Sequence, residues 1–227
     1  MPTPPLGRLH VLTDFELQQR WTHADLARAA AEGGADAVQF RQKAGSVRDK
    51  LAGLAPTVAA CRAAGVACLV DDHLDLALAA GADGVHLGQL DLPVGAARAA
   101  LARPSGRPAG PRFVIGATAT TVAQALAAEA AGADYVGFGP VFPTSSKANP
   151  ASVKGLAGLA AVCATVAVPV VAIAGITPER VGPCLDAGAW GVAVLSPVAL
   201  ADDPAAATAA FRDAVDAWGQ STTSSVA

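Results

Sequence analysis

Residues Tyr135 to Lys147 read Y-V-G-F-G-P-V-F-P-T-S-S-K, an apolar run that breaks at Gly139-Pro140 and ends in Thr144, Ser145, Ser146 and Lys147. Successive hydroxyls followed by an ammonium are donors suited to a phosphate. Other apolar runs end in groups of complementary kinds: Gln39-Phe40-Arg41-Gln42-Lys43, Leu69-Val70-Asp71-Asp72, and Val85-His86-Leu87-Gly88-Gln89-Leu90-Asp91. In the first, strand alternation puts Gln39, Arg41 and Lys43 on one side of an extended segment, as either an anion site or a solvated basic edge. In the second, two unit charges ~4 Å apart repel by about 4 kcal/mol at an effective dielectric near 20, so Asp71 and Asp72 call for a cation between them. With Asp91 they are hard oxygen ligands, and beside an anionic substrate they suit Mg²⁺. The competing reading of the aspartate pair is an N-cap for a helix beginning near His73. His86 lies within a strand-like run and reads as a packed interior histidine.

The elements that must position these groups follow from alternation along the chain. Short β-rich runs centre on Leu9–Leu12, Ala37–Arg41, Ala67–Val70, Gly84–Leu87, Phe113–Gly116, Tyr135–Gly139, Val170–Ala174 and Gly191–Leu195. Between them lie alanine-rich segments of high helix propensity, such as Val47–Ala64 and Thr121–Ala131. Strand-helix alternation of this kind implies a parallel sheet. Gly34-Ala35-Asp36, Gly81-Ala82-Asp83, Gly132-Ala133-Asp134 and Gly188-Ala189-Trp190 each precede an even-numbered strand, the glycine serving as a left-handed helix C-cap. This recurrence, with no glycine-rich dinucleotide fingerprint after the first strand, predicts a single closed (β/α)8 TIM barrel, an α/β fold with a parallel eight-stranded sheet. Its C-terminal face would gather the polar strand ends. There Gly175-Ile176 and Leu195-Ser196 occupy the positions where such barrels hold a phosphate through backbone N–H groups. Residues 1–7 are expected as a short extension, 8–218 as the barrel, and the Ser/Thr-rich stretch 219–227 as a disordered tail.

Bulk properties narrow the function classes. The chain has 227 residues and a net charge of −3, so it lacks the basic field that nucleic-acid binding needs. Small molecules are the expected partners, with a homodimer as the default assembly. No apolar run reaches the ~18 residues of a membrane span, and residues 1–7 lack a secretory layout, so a cytoplasmic enzyme is expected. Cys61, Cys68, Cys163 and Cys184 show no C-x-x-C spacing and read as buried free thiols. The four histidines have no H-x-x-x-H spacing, which argues against zinc.

In order and spacing, Q-F-R-Q-K, L-V-D-D-H-L-D-L-A, G-V-H-L-G-Q-L-D-L-P, I-G-A-T, G-P-V-F-P-T-S-S-K and V-A-I-A-G-I resemble the thiamine phosphate synthase family, over Leu9 to Ala199. The resemblance implies an enzyme that joins a pyrimidinylmethyl diphosphate to a thiazole phosphate by a dissociative, Mg²⁺-assisted substitution that releases pyrophosphate. It implies that Gln39, Phe40, Arg41, Gln42, Lys43, Asp71, Thr118 and Lys147 hold the pyrimidine diphosphate, with Arg41, Lys43, Lys147 and Thr118 acting in catalysis. It also implies Asp72 and Asp91 as Mg²⁺ ligands, and Thr144, Ser145, Ser146, Gly175, Leu195 and Ser196 around the thiazole phosphate. Asp71 stands where the family usually has Asn, Thr118 where it has Ser, and Ala174 where it has Gly. Ala174 would restrict its turn if a positive φ is required there. Two alternatives share the barrel: thiazole tautomerase relatives, which make no carbon–nitrogen bond, and a non-catalytic barrel that binds a phosphorylated thiamine precursor.

Overall fold

A computed structural model describes residues 6–17, 20–102, 113–144, 146 and 152–224. Strands β1 (Leu9–Leu12), β2 (Ala37–Phe40), β3 (Ala67–Asp71), β4 (Gly84–Leu87), β5 (Val114–Ala119), β6 (Tyr135–Phe138), β7 (Val170–Ile173) and β8 (Gly191–Val194) close into an all-parallel barrel in sequence order. Helices α1 (His23–Glu32), α2 (Val47–Ala64), α3 (Leu74–Ala80), α4 (Val94–Leu101), α5 (Val122–Ala130), α6 (Gly155–Cys163) and α7 (Pro178–Asp186) follow the first seven strands. The short α8 (Ser196–Ala199) and the long α9 (Pro204–Ser224) complete the ring. This is the expected (β/α)8 barrel. Strand β5 runs further than the sequence pattern suggests, which brings Thr118 into the sheet. Helix α9 continues through Ser224, so residues 219–224 are helical where a disordered tail was expected, and 225–227 lie outside the described residues. The correction has a physical anchor in Trp218, whose Nε1 donates to Asp186 Oδ1 at 2.7 Å and fastens α9 to α7.

The repeated Gly-Ala-Asp segments do more than cap helices. Gly34, Gly81, Gly132 and Gly188 all have φ between +69 and +96°, the left-handed turn that an L side chain disfavours. In the first three of these segments the aspartate two residues later secures the start of the preceding strand, whereas the fourth carries Trp190 in that place. Asp36 Oδ2 accepts the backbone N–H groups of Arg8 and Leu9, both at 2.8 Å. Asp83 Oδ2 accepts that of Cys68 at 2.8 Å, and Asp134 Oδ2 that of Ile115 at 2.7 Å. The first three paired units thus fix their own register at the N-terminal end of the barrel, and the C-terminal strand ends inherit that register.

Side chains fill the barrel in layers. Leu12, Ala37, Leu69, Val114, Tyr135, Val171 and Ala193 form one buried interior cluster. A second, larger cluster lies between the strands and the helices and includes Phe40, Val70, Leu87, Ile115, Phe138 and Leu159. Further towards the C-terminal ends of the strands, alternation presents Gln39, Asp71, His86 and Thr118 on the same side. All four cysteines are free thiols; Cys61, Cys68 and Cys184 are buried as the sequence suggests, while Cys163 is half-buried.

Candidate active site

The charged half of the barrel mouth comes from β2, β3 and β4. Lys43 Nζ lies 2.8 Å from Asp71 Oδ2 and 2.5 Å from Asp72 Oδ2. Gln39 Nε2 donates to Asp71 Oδ1 at 3.0 Å, and Arg41 Nε approaches Asp71 Oδ2 at 3.6 Å. Gln39, Arg41 and Lys43 therefore converge on one carboxylate, as their alternation predicts. Phe40 and Gln42, expected in the same binding stretch, have their side chains elsewhere. Phe40 is buried with its ring centroid 4.3 Å from that of His23, and Gln42 Nε2 donates to Ala44 O at 3.2 Å. The two-residue period of a strand turns them to the opposite face, leaving only their backbone available to a ligand.

Asp72 follows the last residue of β3 at φ +67°, a left-handed position that Asp tolerates better than most residues. Its N–H donates to His86 O at 2.8 Å, continuing the β3–β4 pairing past the end of β3. The N-cap of α3 is His73, with no side-chain cap bond, so the aspartate pair is not spent on capping. Asp91 arrives from the loop after β4, where its Oδ2 accepts Gly88 N at 2.6 Å.

The three carboxyls titrate in different directions. Burial raises the Asp71 carboxyl above its ordinary range, against the pull of Lys43. Burial also opposes ionisation of Asp72, but Lys43 and the hydrogen-bonding contact with Asp91 outweigh it and hold Asp72 low. Asp91 is raised, first by burial and then by Asp72, so it keeps a proton longer than its neighbour. Burial alone would lower Lys43, yet Asp71 and Asp72 raise it, and its ammonium is the cation of this carboxylate cluster. Such a set fits a hard divalent ion. Among the described residues no three His, Cys, Asp or Glu side chains form a complete metal cage. A carboxylate pair that leaves the remaining positions to phosphate oxygens and water is the arrangement Mg²⁺ prefers.

The hydroxyl half comes from β6, β7 and β8. Thr144 Oγ1 and Ser146 Oγ are 3.2 Å apart, Ser146 N donates to Thr144 Oγ1 at 3.2 Å, and the Ser146 and Ser196 hydroxyls are hydrogen-bonded. Gly175 sits in a left-handed turn at φ +66°, and Leu195 is the N-cap of α8 with Ser196 as its first residue. Ser145 and Lys147, expected at the thiazole phosphate and the diphosphate respectively, lie outside the described residues.

Between the two halves in barrel order stands Thr118. Its Oγ1 lies 2.9 Å from His86 Nε2, and His86 Nδ1 lies 2.8 Å from the Tyr135 hydroxyl. Burial lowers His86 to about 4, so at neutral pH it is an uncharged imidazole with one ring nitrogen donating and one accepting. A Cβ at Gly137 would lie 2.9 Å from His86 Cε1, so the ring needs glycine opposite it. Reading His86 as interior describes its burial but misses its contact with Thr118. Asp14 was missed altogether: it follows β1 and forms an ion pair with Arg41, whose side chain is 18% exposed. Its signal was available, since Thr13-Asp14 is a polar strand end like the others.

Comparison with known proteins adds independent findings. The family profile described as thiamine monophosphate synthase matches residues 9–198. The chain is 55% identical over 211 residues to a thiamine-phosphate synthase of Salinibacter ruber, covering 93% of this chain and 89% of that protein. It is 46% identical to a thiamine-phosphate synthase of Methanoculleus marisnigri, over 92% of this chain and 95% of the relative. The solved structure of a thiamine phosphate pyrophosphorylase from Pyrococcus furiosus superposes with a TM-score of 0.80 at 36% identity, covering 93% and 96% of the two chains.

Proposed function

Because the chain belongs to the thiamine monophosphate synthase family, we propose that it condenses a 4-aminopyrimidinylmethyl diphosphate with a thiazole phosphate to give thiamine phosphate and pyrophosphate. It is a transferase of that family. The observation that best supports the reading is the division of the barrel mouth into a charged half around Lys43, Asp71 and Asp72 and a hydroxyl half around Thr144, Ser146 and Ser196. Two phosphorylated substrates of unequal charge can be assigned to the two halves. The diphosphate goes to the cations of β2 and the monophosphate to the hydroxyls and backbone of β6 to β8.

The reaction breaks the carbon–oxygen bond between the pyrimidine methylene and the diphosphate, whose oxygen keeps the electron pair. The thiazole nitrogen lone pair then forms the new carbon–nitrogen bond. Negative charge grows on the leaving group, so Arg41 and Lys43 act chiefly on the transition state, as does Lys147 by resemblance. Asp14 holds Arg41 in place through their ion pair. Lys43, drawn to the diphosphate, releases Asp72, which with Asp91 would hold Mg²⁺. When bound, that ion supplies further neutralisation of leaving-group charge. Thr118, hydrogen-bonded to His86, would bind the pyrimidine diphosphate. Holding both substrates side by side contributes the advantage of an intramolecular reaction.

Among the described residues no helix is long and apolar enough to cross a membrane. We place the enzyme in the cytoplasm, acting on these two small molecules as a homodimer. The test is pyrophosphate release measured with each substrate and Mg²⁺ omitted in turn. Release only with both substrates and metal supports the reading. Release from the diphosphate alone, or none under any condition, favours a hydrolase or a non-catalytic binder.

A further inference from the structure

We infer that Arg180 is a positioning residue for the phosphate-binding turn after β7, a clamp that holds Ala174 and Gly175 in consecutive left-handed conformations. The inference rests on the proposed thiazole-phosphate role of Gly175. Ala174 has φ +79° and Gly175 φ +66°. Glycine adopts this region at no steric cost, whereas the Ala174 Cβ crowds its own backbone, so neighbouring contacts must hold that residue there. Those contacts are identifiable. The β6–β7 pairing continues past both strand ends, with Val141 N donating to Ile173 O at 3.0 Å and Phe142 N to Ala174 O at 3.1 Å. Gly175 is pressed so closely against the neighbouring loop that an added Cβ would lie 2.4 Å from Pro143 O and 2.7 Å from Phe142 Cβ.

Arg180, in the first turn of α7, joins these pieces. Its Nη1 donates to Gly175 O at 2.6 Å, and its guanidinium lies 4.5 Å from the centroid of the Phe142 ring. One half-buried side chain therefore touches both the β7–α7 turn and the residue two before Thr144. Pinning the Gly175 carbonyl fixes the peptide planes around it, and a phosphate at such a turn is held through backbone N–H groups. Lysine cannot reproduce this arrangement, because an ammonium has neither the planar face nor the fork of a guanidinium.

The experiment compares wild type, Arg180→Met and Arg180→Lys, each with and without Ala174→Gly, in steady-state assays varying one substrate at a time. Arg180→Met is expected to raise KM for the thiazole phosphate roughly tenfold or more, the scale of one charge-assisted hydrogen bond, while KM for the pyrimidine diphosphate stays within about twofold. Ala174→Gly, by removing the Cβ penalty, is expected to recover at least about half of that loss on a logarithmic scale. Equal shifts in both KM values, or no recovery with glycine, would overturn the clamp. A second readout is independent of the reaction: hydrogen exchange in the substrate-free protein should quicken about tenfold at residues 142–144 and 174–176 in Arg180→Met or Arg180→Lys. Unchanged exchange overturns the clamp even if the enzyme is active. Altered exchange in a protein that makes no thiamine phosphate upholds the clamp and removes the proposed reaction instead.

Discussion

Replacing Asp71 by Asn removes one negative charge from the place where the diphosphate is expected. Asp71 Oδ2 lies 2.8 Å from Lys43 Nζ and 3.6 Å from Arg41 Nε, so at an effective dielectric near 20 the pairings amount to about 6 and about 5 kcal/mol of Coulomb attraction. Most of this is offset by desolvation, and the Lys43 side chain is 41% exposed, which screens it further. What remains on the order of 1–3 kcal/mol is a penalty on the incoming diphosphate, which must draw Lys43 and Arg41 away from Asp71. The amide of Asn can still meet Gln39, with none of that competition. Asp71→Asn is therefore expected to retain kcat within a few-fold and to lower KM for the pyrimidine diphosphate by roughly 5- to 150-fold. The Mg²⁺ concentration needed for half-maximal rate should fall with it, because in the proposed reaction metal and diphosphate bind together. The assay is initial-rate kinetics over a matrix of diphosphate and Mg²⁺ concentrations. Loss of turnover at saturating Mg²⁺ would make Asp71 an obligatory ligand or base and refute this charge balance.

Other consequences can be checked separately. Lys147→Ala should lower kcat and kcat/KM together by ~100-fold or more if its charge acts on the leaving pyrophosphate, as the family resemblance implies; a change confined to KM would contradict that role. Burial lowers His10, His23 and His86 to about 4, so an unfolded imidazole near 6.5 takes up a proton that the folded one refuses. Their contribution is whole above pH 6.5 and is lost as pH falls towards 4, by about 1.4 kcal/mol per unit for each histidine, with the raised Asp71 and Asp91 acting in the opposite sense. Urea midpoints at pH 7 and 5 should show the loss, and His10→Gln should lessen it by one histidine's share. Asp36→Ala removes the acceptor of two backbone N–H groups and of Arg212 Nη1 at 3.1 Å; it should cost ~3 kcal/mol in urea unfolding with kcat unchanged, because it acts at the far end of the barrel.

The strands were legible because each is a short apolar run, most of them closed by polar residues, and the repeated Gly-Ala-Asp segments marked their pairing. The same period placed Gln39, Arg41 and Lys43 together, and it also implied that Phe40 and Gln42 point away, a consequence that the continuous motif obscured. His86 was harder to read. Its contact with Thr118 spans neighbouring strands in a closed barrel and depends on Gly137 leaving space for the ring, and no local pattern records such a meeting. Asp14 could have been found by applying the polar strand-end criterion to β1. The helical stretch 219–224 escaped because Ser and Thr suggest disorder, while its anchor, Trp218, makes its bond to a residue in a different helix. The left-handed φ of Ala174 answers the question its sequence position raised, and Arg180, six residues on, carried no signal until the turn was seen.

The most direct test of the proposed reaction is quantitation of thiamine phosphate and pyrophosphate from one mixture of enzyme, both substrates and Mg²⁺. Equimolar formation of the two products, abolished when either substrate is withheld, is the predicted result. Pyrophosphate without thiamine phosphate, or neither product at saturating substrates and metal, would contradict it.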